Sequence, residues 1–359
     1  MSRPATVRAR APLRLGLAGG GTDVSPYCDI YGGQVVNATI ARYAYAELAP
    51  GEDNVCLLRS LDQGCSMRLA GSEPAQAVPA LVLHQAVYRH MIERYHGGKP
   101  LALTFSTRSD APAGSGLGSS STMVVAMIHA FSVYLSLNLG AHEIADLAFH
   151  IERVVCGLQG GRQDQFAAAY GGFNFMTFPS GGAAQIAPLD VPAALTRELA
   201  SSLILCYTGM SRASAQIIND QSENIRQGAS AALEATHALK LEAASMRHCL
   251  LAGDMQGIVA SMQTGWENKK KLARSVSNTH IDAMYAAALQ AGALAGKVSG
   301  AGGGGFMMFL APAGRRAMVG RALADMGGQV SRCRFDEAGS TAWQVGADVA
   351  DGTLQAALA

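Results

Sequence analysis

The sequence predicts an α+β protein of two domains, and three observations carry this prediction. With 359 residues the chain exceeds the usual size of one domain. Its strand-like and helix-like segments mix without the regular βαβα order of a parallel sheet, which favours α+β domains. A stretch rich in proline, glycine and alanine at 179–192 is the best candidate boundary. We therefore predict one domain at residues 1–185 and a second at residues 186–359.

The elements of the predicted first domain follow from hydrophobic periodicity and from breaker residues. Thr6 to Leu15 alternates between apolar and polar residues, a pattern typical of a half-buried strand with Arg14 on its polar side. Apolar residues at helical spacing predict a helix over 79–95, which ends at two glycines. The other predicted elements are strands at 34–48, 101–105 and 173–178, and helices up to residue 137, over 141–155 and within 160–172.

The predicted second domain begins with a strand over 202–207. Long helices are expected over 213–250 and 254–274, and another from Ser277 to Gly292. A glycine loop at 300–305 then runs into an apolar strand that ends at Leu310. A helix from Arg315 and a strand over 330–335 are the last predicted elements.

Composition excludes several classes of protein. The net charge of +1 gives no electrostatic case for nucleic acid or a membrane surface. The seven cysteines form no CxxC pair, a usage that suits a reducing compartment. The N-terminus lacks the apolar core of a signal peptide, and no stretch approaches the ~20 apolar residues of a membrane span. We therefore predict a cytoplasmic protein that binds neither nucleic acid nor membranes. The sequence leaves open whether the protein forms a homo-oligomer.

The segment 112–121, Pro-Ala-Gly-Ser-Gly-Leu-Gly-Ser-Ser-Ser, is the strongest functional signal in the chain. It lies between a predicted strand and a predicted buried helix, and its three glycines allow a close backbone approach to a ligand. The serines fall where the helix begins, and the free N–H groups at such a position bind anions, above all phosphate. The predicted phosphate-binding residues are Pro112, Gly114, Ser115, Gly116, Leu117, Gly118, Ser119, Ser120 and Ser121.

Other phosphate and metal motifs do not fit the sequence. A Walker-type loop requires a lysine after the glycines, and a dinucleotide fingerprint requires a third glycine where Ser119 stands. His150, Glu152 and Cys156 suggest a zinc deaminase, but the sequence has no Pro-Cys-x-x-Cys segment. The basic run Lys269–Lys271 is too sparse for a nucleic-acid surface, and we expect it to form a solvated helix face.

Three glycine loops occur in the order of the GHMP kinases, a superfamily that includes galactokinase, homoserine kinase and mevalonate kinase. Residues 112–121 are similar to the second motif of that family. Residues 12–23, Pro-Leu-Arg-Leu-Gly-Leu-Ala-Gly-Gly-Gly-Thr-Asp, resemble its N-terminal signature, and residues 300–305 resemble its C-terminal glycine loop. The resemblance implies a ribosomal protein S5 domain 2-like N-terminal domain, a ferredoxin-like C-terminal domain and an ATP-dependent small-molecule kinase.

The resemblance also implies roles for individual residues. Asp164 would contact the acceptor hydroxyl, and Arg14 would stabilise charge on the transferring phosphoryl group, so both are predicted to be catalytic. Ser120 and Glu152 would bind Mg²⁺ beside ATP. The predicted substrate-binding residues are Gly20, Gly21, Thr22, Asp23, Arg162, Gly302, Gly303 and Gly304. The carboxylate of Asp23 could accept two sugar hydroxyls.

Sequence differences between family members within these motifs indicate which sugar accepts the phosphoryl group. Galactokinases carry Gly-Glu-His-Thr-Asp and fucokinases tend to carry Ala-Gly-Gly-Trp-Ser-Asp, where this chain has Gly19-Gly-Gly-Thr-Asp23. That form, together with residues 161–174 and 296–306, most resembles the D-glycero-D-manno-heptose 7-phosphate kinases of the family. They phosphorylate the anomeric hydroxyl to give the 1,7-bisphosphate, on the route to GDP-activated heptose for bacterial surface polysaccharide.

A phosphorylated acceptor also needs basic groups at its far end. The candidates from sequence are Arg162, Arg212, Lys270 and Lys271. Two alternatives stay open. One is a 1-kinase for L-fucose or another free sugar, and the other is a non-catalytic sugar-binding sensor on the kinase scaffold.

Overall fold

The computed structural model describes residues 5–51, 55–70, 78–210 and 214–345. Arg212, one of the predicted phosphate ligands, lies outside the described residues. The strands are β1 (Thr6–Ala18), β2 (Gly33–Pro50), β3 (Val55–Ser60), β4 (Cys65–Ala70), β5 (Leu103–Ser109), β6 (Phe173–Phe178), β7 (Gln185–Pro188), β8 (Leu203–Tyr207), β9 (Ala295–Val298), β10 (Phe306–Leu310), β11 (Gln329–Arg332) and β12 (Thr341–Val345).

The α-helices are α1 (Tyr27–Tyr31), α2 (Val82–Tyr95), α3 (Ser119–Tyr134), α4 (Ala141–Phe149), α5 (Gln163–Tyr170), α6 (Ala193–Ser202), α7 (Ser214–Arg226), α8 (Ser230–Ala252), α9 (Met255–Lys270), α10 (Thr279–Gln290) and α11 (Arg316–Asp325). A π-helical turn, His150–Val155, continues α4. Short 3₁₀ turns lie at Pro79–Leu81 and Arg274–Val276. Within the described ranges, every helix is too short or too polar to cross a bilayer.

Eight strands form a large sheet in the order β12-β1-β2-β5-β3-β4, with β6 on the first half of β2 and β7 beside β6. β1 and β2 are long antiparallel neighbours, and their register shifts at Pro12/Leu13 and at Gly16/Ala18. Such irregularities bend and re-aim a strand. As a result, the two halves of β1 face different apolar cores: Val7 packs in one, Leu13 and Leu15 in another.

The second sheet has four antiparallel strands in the order β11-β8-β10-β9. Its strands and the intervening helices follow one another as β-α-β-β-α-β along the chain, which is the ferredoxin-like arrangement. The α+β fold class predicted from the sequence is therefore confirmed.

One apolar core joins the two sheets. It contains Leu13 and Leu15 of β1, Met246 of α8, and Leu205 and Met308 of the second sheet. Because these side chains are excluded from water together, the second sheet is fixed against the end of β1 that leads to the first glycine loop. The domain division at 185/186 stays a prediction. β7, which spans that point, and β12, which lies after it, both pair within the large sheet.

Most predicted elements lie where the sequence places them, and one expectation is wrong. The single helix expected over 213–250 is two helices, because Gly228 has a φ of 65° and separates α7 from α8. The predicted strand at 101–105 begins and ends later, as β5. β3, β4, β7, β9 and β12, each of six residues or fewer, are not predicted from the sequence.

Candidate active site

Three glycine loops meet in one pocket. They are loop 1 (residues 19–26) after β1, the phosphate loop (residues 112–118) before α3, and loop 3 (residues 299–305) between β9 and β10. Gly20 and Gly21, the start of α3, and Gly300 with Ala301 all line it. The π-helical turn, α5, α7 and α9 contribute the remaining walls. Segments that are distant in sequence therefore converge on one cleft, as the resemblance implies.

The phosphate loop has the backbone of an anion site. Gly114, Gly116 and Gly118 have φ values of 72°, 81° and 77°, a region that favours glycine over other residues. The Gly118 carbonyl accepts the N–H of Thr122 at 2.9 Å and starts α3. The first-turn serines face the pocket. Free N–H groups and the positive end of the helix dipole therefore point toward any anion bound there.

The phosphate loop and loop 3 touch backbone to backbone. A Cβ at Gly116 would lie 2.4 Å from the carbonyl oxygen of Ser299, and one at Gly305 would lie 2.3 Å from that of Ser115. The N–H of Phe306 donates to the same Ser115 carbonyl at 2.8 Å. The glycines are needed for this approach, which holds the two sheets together across the pocket.

Arg14 and Asp164 form an ion pair at the phosphate loop. The Arg14 Nε donates to Asp164 Oδ1 at 2.6 Å, and its Nη1 donates to the Gly116 carbonyl at 2.7 Å. Arg14 is 4% exposed, so this guanidinium is held in one place. Asp164 Oδ2 has no hydrogen-bond partner in the described part of the chain, and a Cβ at Gly118 would lie 3.2 Å from it. The pair thus holds a carboxylate beside the phosphate loop with one oxygen available to a bound hydroxyl.

Glu152 is buried beside the start of α3, with 1% of its surface exposed. Its Oε1 accepts from Ser120 Oγ at 2.8 Å. Its Oε2 accepts from Ser121 Oγ at 2.6 Å and from Gln165 Nε2 at 2.7 Å. The carboxylate belongs to the π-helical turn, and π-bulges are frequent at functional sites. Ser120 and Glu152 are therefore neighbours, as their predicted shared role requires.

The oxygen atoms of Ser120 and Glu152 suit a hard cation such as Mg²⁺. This ion binds proteins through one or two carboxylates and takes further ligands from water and substrate phosphates. Among the described residues, no group of three or more His, Cys, Asp or Glu side chains could hold a metal alone. A cation at Ser120 and Glu152 would accordingly depend on the nucleotide phosphates for binding.

Asp23 is buried and caps α5, a role different from the sugar contact expected of it. Its Oδ2 accepts the backbone N–H groups of Arg162 and Gln163 at 3.0 and 3.1 Å. Its Oδ1 accepts from Gln163 Nε2 at 3.1 Å and from the N–H of Gly21 at 3.3 Å. Four protein donors occupy the roughly four acceptor positions of a carboxylate. Asp23 thereby ties loop 1 to the helix that carries Asp164, and its contact with a sugar stays a prediction.

Two other predicted substrate ligands point away from the pocket. Thr22 is buried, and its Oγ1 donates to the Gln34 carbonyl at 2.7 Å. The guanidinium of Arg162 lies 3.7 Å from Asp29 Oδ1 and 5.1 Å above the ring of Phe149. Gly20, Gly21 and Asp23 do line the pocket.

The predicted glycines of loop 3 pack against protein. Cβ atoms at Gly302, Gly303 and Gly304 would meet Val276, Ile217 and Met210. The pocket wall from this loop consists of Gly300 and Ala301 instead. In the phosphate loop, Pro112 is exposed, whereas Ser115 and Leu117 are buried beneath the loop. The roles predicted for all of these residues as ligands stay predictions.

Lys269 and Lys297 are pocket residues that sequence reasoning missed. The expected solvated face is wrong for Lys269, which is 5% exposed and donates from Nζ to the Gly20 carbonyl at 2.8 Å. Lys297 Nζ donates to the Leu17 carbonyl at 3.0 Å. The helical spacing of the sequence does indicate this burial: the buried face of α9 runs through Met262 and Trp266, and Lys269 follows at the next helical step.

Burial governs the charge of both lysines. It lowers the pKa of Lys269 to about 7, with a second contribution from the Lys297 cation, while Asp23 opposes the shift. Burial also lowers the pKa of Lys297, and Glu242 opposes that shift. Burial raises the pKa of Glu242 itself to about 7. The pocket floor therefore holds cations that are costly to keep charged without an anion.

Comparisons with known proteins agree with this geometry. The family model for the GHMP kinases N terminal domain matches residues 82–172, and the model for the GHMP kinases C terminal domain matches residues 246–329. A D-glycero-alpha-D-manno-heptose 7-phosphate kinase of Campylobacter jejuni is 37% identical over 340 residues, which are 95% of this chain and 99% of that protein.

Two further relatives are informative. The crystal structure of a D-glycero-D-manno-heptose 1-phosphate kinase from Bacteroides thetaiotaomicron shares 38% identity and a TM-score of 0.80, over 95% of this chain and 100% of that chain. An L-fucokinase/L-fucose-1-P guanylyltransferase of Bacteroides fragilis is 25% identical over 91% of this chain and 38% of its own length.

The fold and the pocket define a phosphotransferase that acts on an alcohol group of a small molecule. The chain belongs to the GHMP kinases, which use ATP, and the resemblance seen in its three loops is confirmed. The similarity to the heptose phosphate kinases extends over nearly the whole chain.

Proposed function

We propose that this protein transfers the γ-phosphoryl group of ATP to the anomeric hydroxyl of D-glycero-D-manno-heptose 7-phosphate, giving the 1,7-bisphosphate. The observation that carries the proposal is the Asp164 carboxylate, held by Arg14 against the phosphate loop with Oδ2 available. The choice of acceptor is supported by the Campylobacter jejuni relative that is named for this sugar phosphate.

Catalysis would rest on positioning and electrostatics, as phosphoryl transfer through a loose transition state requires. The N–H groups at the start of α3 bind the ATP phosphates. Asp164 Oδ2 accepts a hydrogen bond from the anomeric hydroxyl and takes its proton as the bond to phosphorus forms. Arg14 keeps the carboxylate oriented and lies beside the charge that develops on the transferring group.

The proposal includes Mg²⁺ bound by Ser120 Oγ and Glu152. Their 2.8 Å separation, the burial of the carboxylate and the all-oxygen donor set fit this cation. When bound, the ion neutralises charge on the ATP phosphates. Gln165 and Ser121 hold the second carboxylate oxygen and so keep Glu152 aimed at Ser120.

Asp164→Asn tests the mechanism. Asparagine retains an oxygen for the Arg14 contact but cannot take a proton, so we expect kcat to fall about 10²- to 10⁴-fold with little change in the KM for ATP. A coupled ADP-release assay measures both. Asp146→Asn on the exposed side of α4 is the matched control. Near-wild-type turnover by a folded Asp164→Asn enzyme would refute the assigned role.

The relatives also define the competing acceptors. The Bacteroides thetaiotaomicron protein is named for a heptose 1-phosphate, and the Bacteroides fragilis protein for L-fucose. ADP release with heptose 7-phosphate, heptose 1-phosphate, L-fucose, mannose and galactose distinguishes them. Preference for free fucose would replace the proposed acceptor, and no turnover with any sugar would favour the non-catalytic sensor. We further infer that the enzyme acts in the cytoplasm, where ATP is available.

A further inference from the structure

The acceptor side of the pocket contains a buried ammonium group that the mechanism above does not use. Lys269 lies in the last turn of α9 and is 5% exposed, yet it lines the pocket. Its Nζ makes one hydrogen bond in the described structure, to the Gly20 carbonyl at 2.8 Å. Since an ammonium has three N–H donors, two remain for a ligand.

The space beside this ammonium is kept open by the backbone of loop 1. A Cβ at Gly21 would lie 3.4 Å from Lys269 Nζ and 3.6 Å from Gln221 Oε1. Gln221 Nε2 donates to the Ala301 carbonyl at 3.0 Å, which ties α7 to loop 3. The Lys269 ammonium and the Gln221 amide therefore line the pocket beside loop 1.

The charges around Lys269 favour an anion there. The groups that face it are Asp23 on loop 1, Arg14 on β1 and Lys297 on β9. Asp23 is occupied by the donors of α5, and Arg14 by Asp164. No carboxylate forms an ion pair with Lys269 in the described part of the chain. A dianionic ligand would supply the missing counter-charge.

The rival lysines of the same run are engaged elsewhere. Lys270 Nζ lies 2.9 Å from Glu267 on the outer face of α9. Lys271 Nζ donates to Asn268 at the end of the helix. Neither lysine lines the pocket, so neither is directed to the acceptor.

We propose that Lys269 binds the phosphate group that the acceptor already carries, and that this contact makes the enzyme select sugar phosphates over free sugars. The inference rests on the proposed function, because it assigns the far end of the same acceptor. Lys297, whose Nζ donates to the Leu17 carbonyl, is a second buried lysine near this subsite.

Lys269→Met is the test variant, because methionine approximates the length of lysine and removes its charge. We expect the KM for heptose 7-phosphate to rise roughly 10- to 100-fold, the loss typical of a charge-assisted hydrogen bond, while the KM for ATP stays within about twofold. The kcat/KM for the unphosphorylated heptose should not fall. Lys99→Met, an exposed position, is the charge-deletion control. Lys270→Met tests the rival lysine.

An equal loss on the free and the phosphorylated heptose would overturn the proposal, because it would indicate a structural role. An unchanged KM for heptose 7-phosphate would overturn it as well. A thermal melt checks folding, and we expect Lys269→Met to be at least as stable as the wild type, since removing an unpaired buried charge is often stabilising.

The pH profile provides a second readout that needs no loss of the side chain. Burial lowers the pKa of the wild-type lysine to about 7, so the ammonium loses its proton above this pH and the KM for heptose 7-phosphate should rise between pH 7 and pH 9. Lys269→Arg stays protonated and should give a flat profile. A flat wild-type profile would count against the proposal.

Calorimetric titration with heptose 7-phosphate separates this proposal from the proposed function. Binding by the wild type that is lost in Lys269→Met, without turnover, would support the subsite and refute the kinase assignment. Turnover that survives unchanged in Lys269→Met would support the kinase and refute the subsite. Absence of wild-type binding would refute both.

Discussion

Gly116→Ala tests the contact between the phosphate loop and loop 3. Gly116 has a φ of 81°, and a Cβ there would lie 2.4 Å from the Ser299 carbonyl oxygen. Ordinary contact begins at 3.4 Å, so the two loops must separate by about 1 Å. Ser299 Oγ donates to the Gly116 carbonyl at 3.0 Å, and Arg14 donates to the same oxygen, so the displacement reaches the ion pair of Arg14 with Asp164.

The size of the effect follows from two separate costs. The left-handed backbone costs alanine roughly 1–2 kcal/mol at any such position. Separation of the two loops also moves groups of the site by about 1 Å, and a misplacement of that size can lower activity about 100-fold. We therefore expect kcat/KM for ATP and for the sugar to fall by about 100-fold, beyond any loss of stability.

Gly98→Ala isolates the backbone cost. Gly98 has a φ of 72° at the end of α2, and its Cβ would meet no atom within 4 Å. Urea denaturation measures stability in both variants, and ADP release measures kcat/KM. The reasoning would be wrong if Gly116→Ala kept kcat/KM within about twofold of Gly98→Ala, because the loops would then tolerate separation.

Two further variants test the residues around this contact. In Glu152→Gln, loss of the carboxylate charge should raise the Mg²⁺ concentration for half-maximal activity at least about 10-fold, with kcat recovering at saturating Mg²⁺. A Mg²⁺ titration of ADP release, with exposed Glu93→Gln as control, would contradict the metal assignment if both curves coincided. In Asp23→Ala, the N–H groups of Arg162 and Gln163 lose their acceptor, so urea denaturation should show a loss of about 2–4 kcal/mol. Unchanged stability with a raised KM for the sugar would instead support a direct sugar contact.

The loops of the site could be predicted from sequence because each is a local pattern. Glycines before a serine-rich helix start indicate an anion site wherever the chain folds around them. The separate roles predicted for Arg14 and Asp164 required the family resemblance, and their ion pair, which joins residues 150 positions apart, was not predicted. The fold class followed from the order of strands and helices, and the resemblance supplied the two domain types.

What the sequence did not reveal depends on packing between distant segments. Lys269 is indistinguishable in composition from its neighbours Lys270 and Lys271, and only the continuation of the α9 core face buries it. The cap that Asp23 provides to α5 is likewise a contact across 140 residues. β12 joins the large sheet beside β1, a pairing that no local pattern specifies.

The most direct test of the central claim is ³¹P NMR of the product formed from ATP and D-glycero-D-manno-heptose 7-phosphate. The proposed function predicts a product with two phosphate resonances, one of them coupled to the anomeric proton, and stoichiometric release of ADP. ADP release without a new anomeric phosphate, or turnover confined to unphosphorylated sugars, would contradict it.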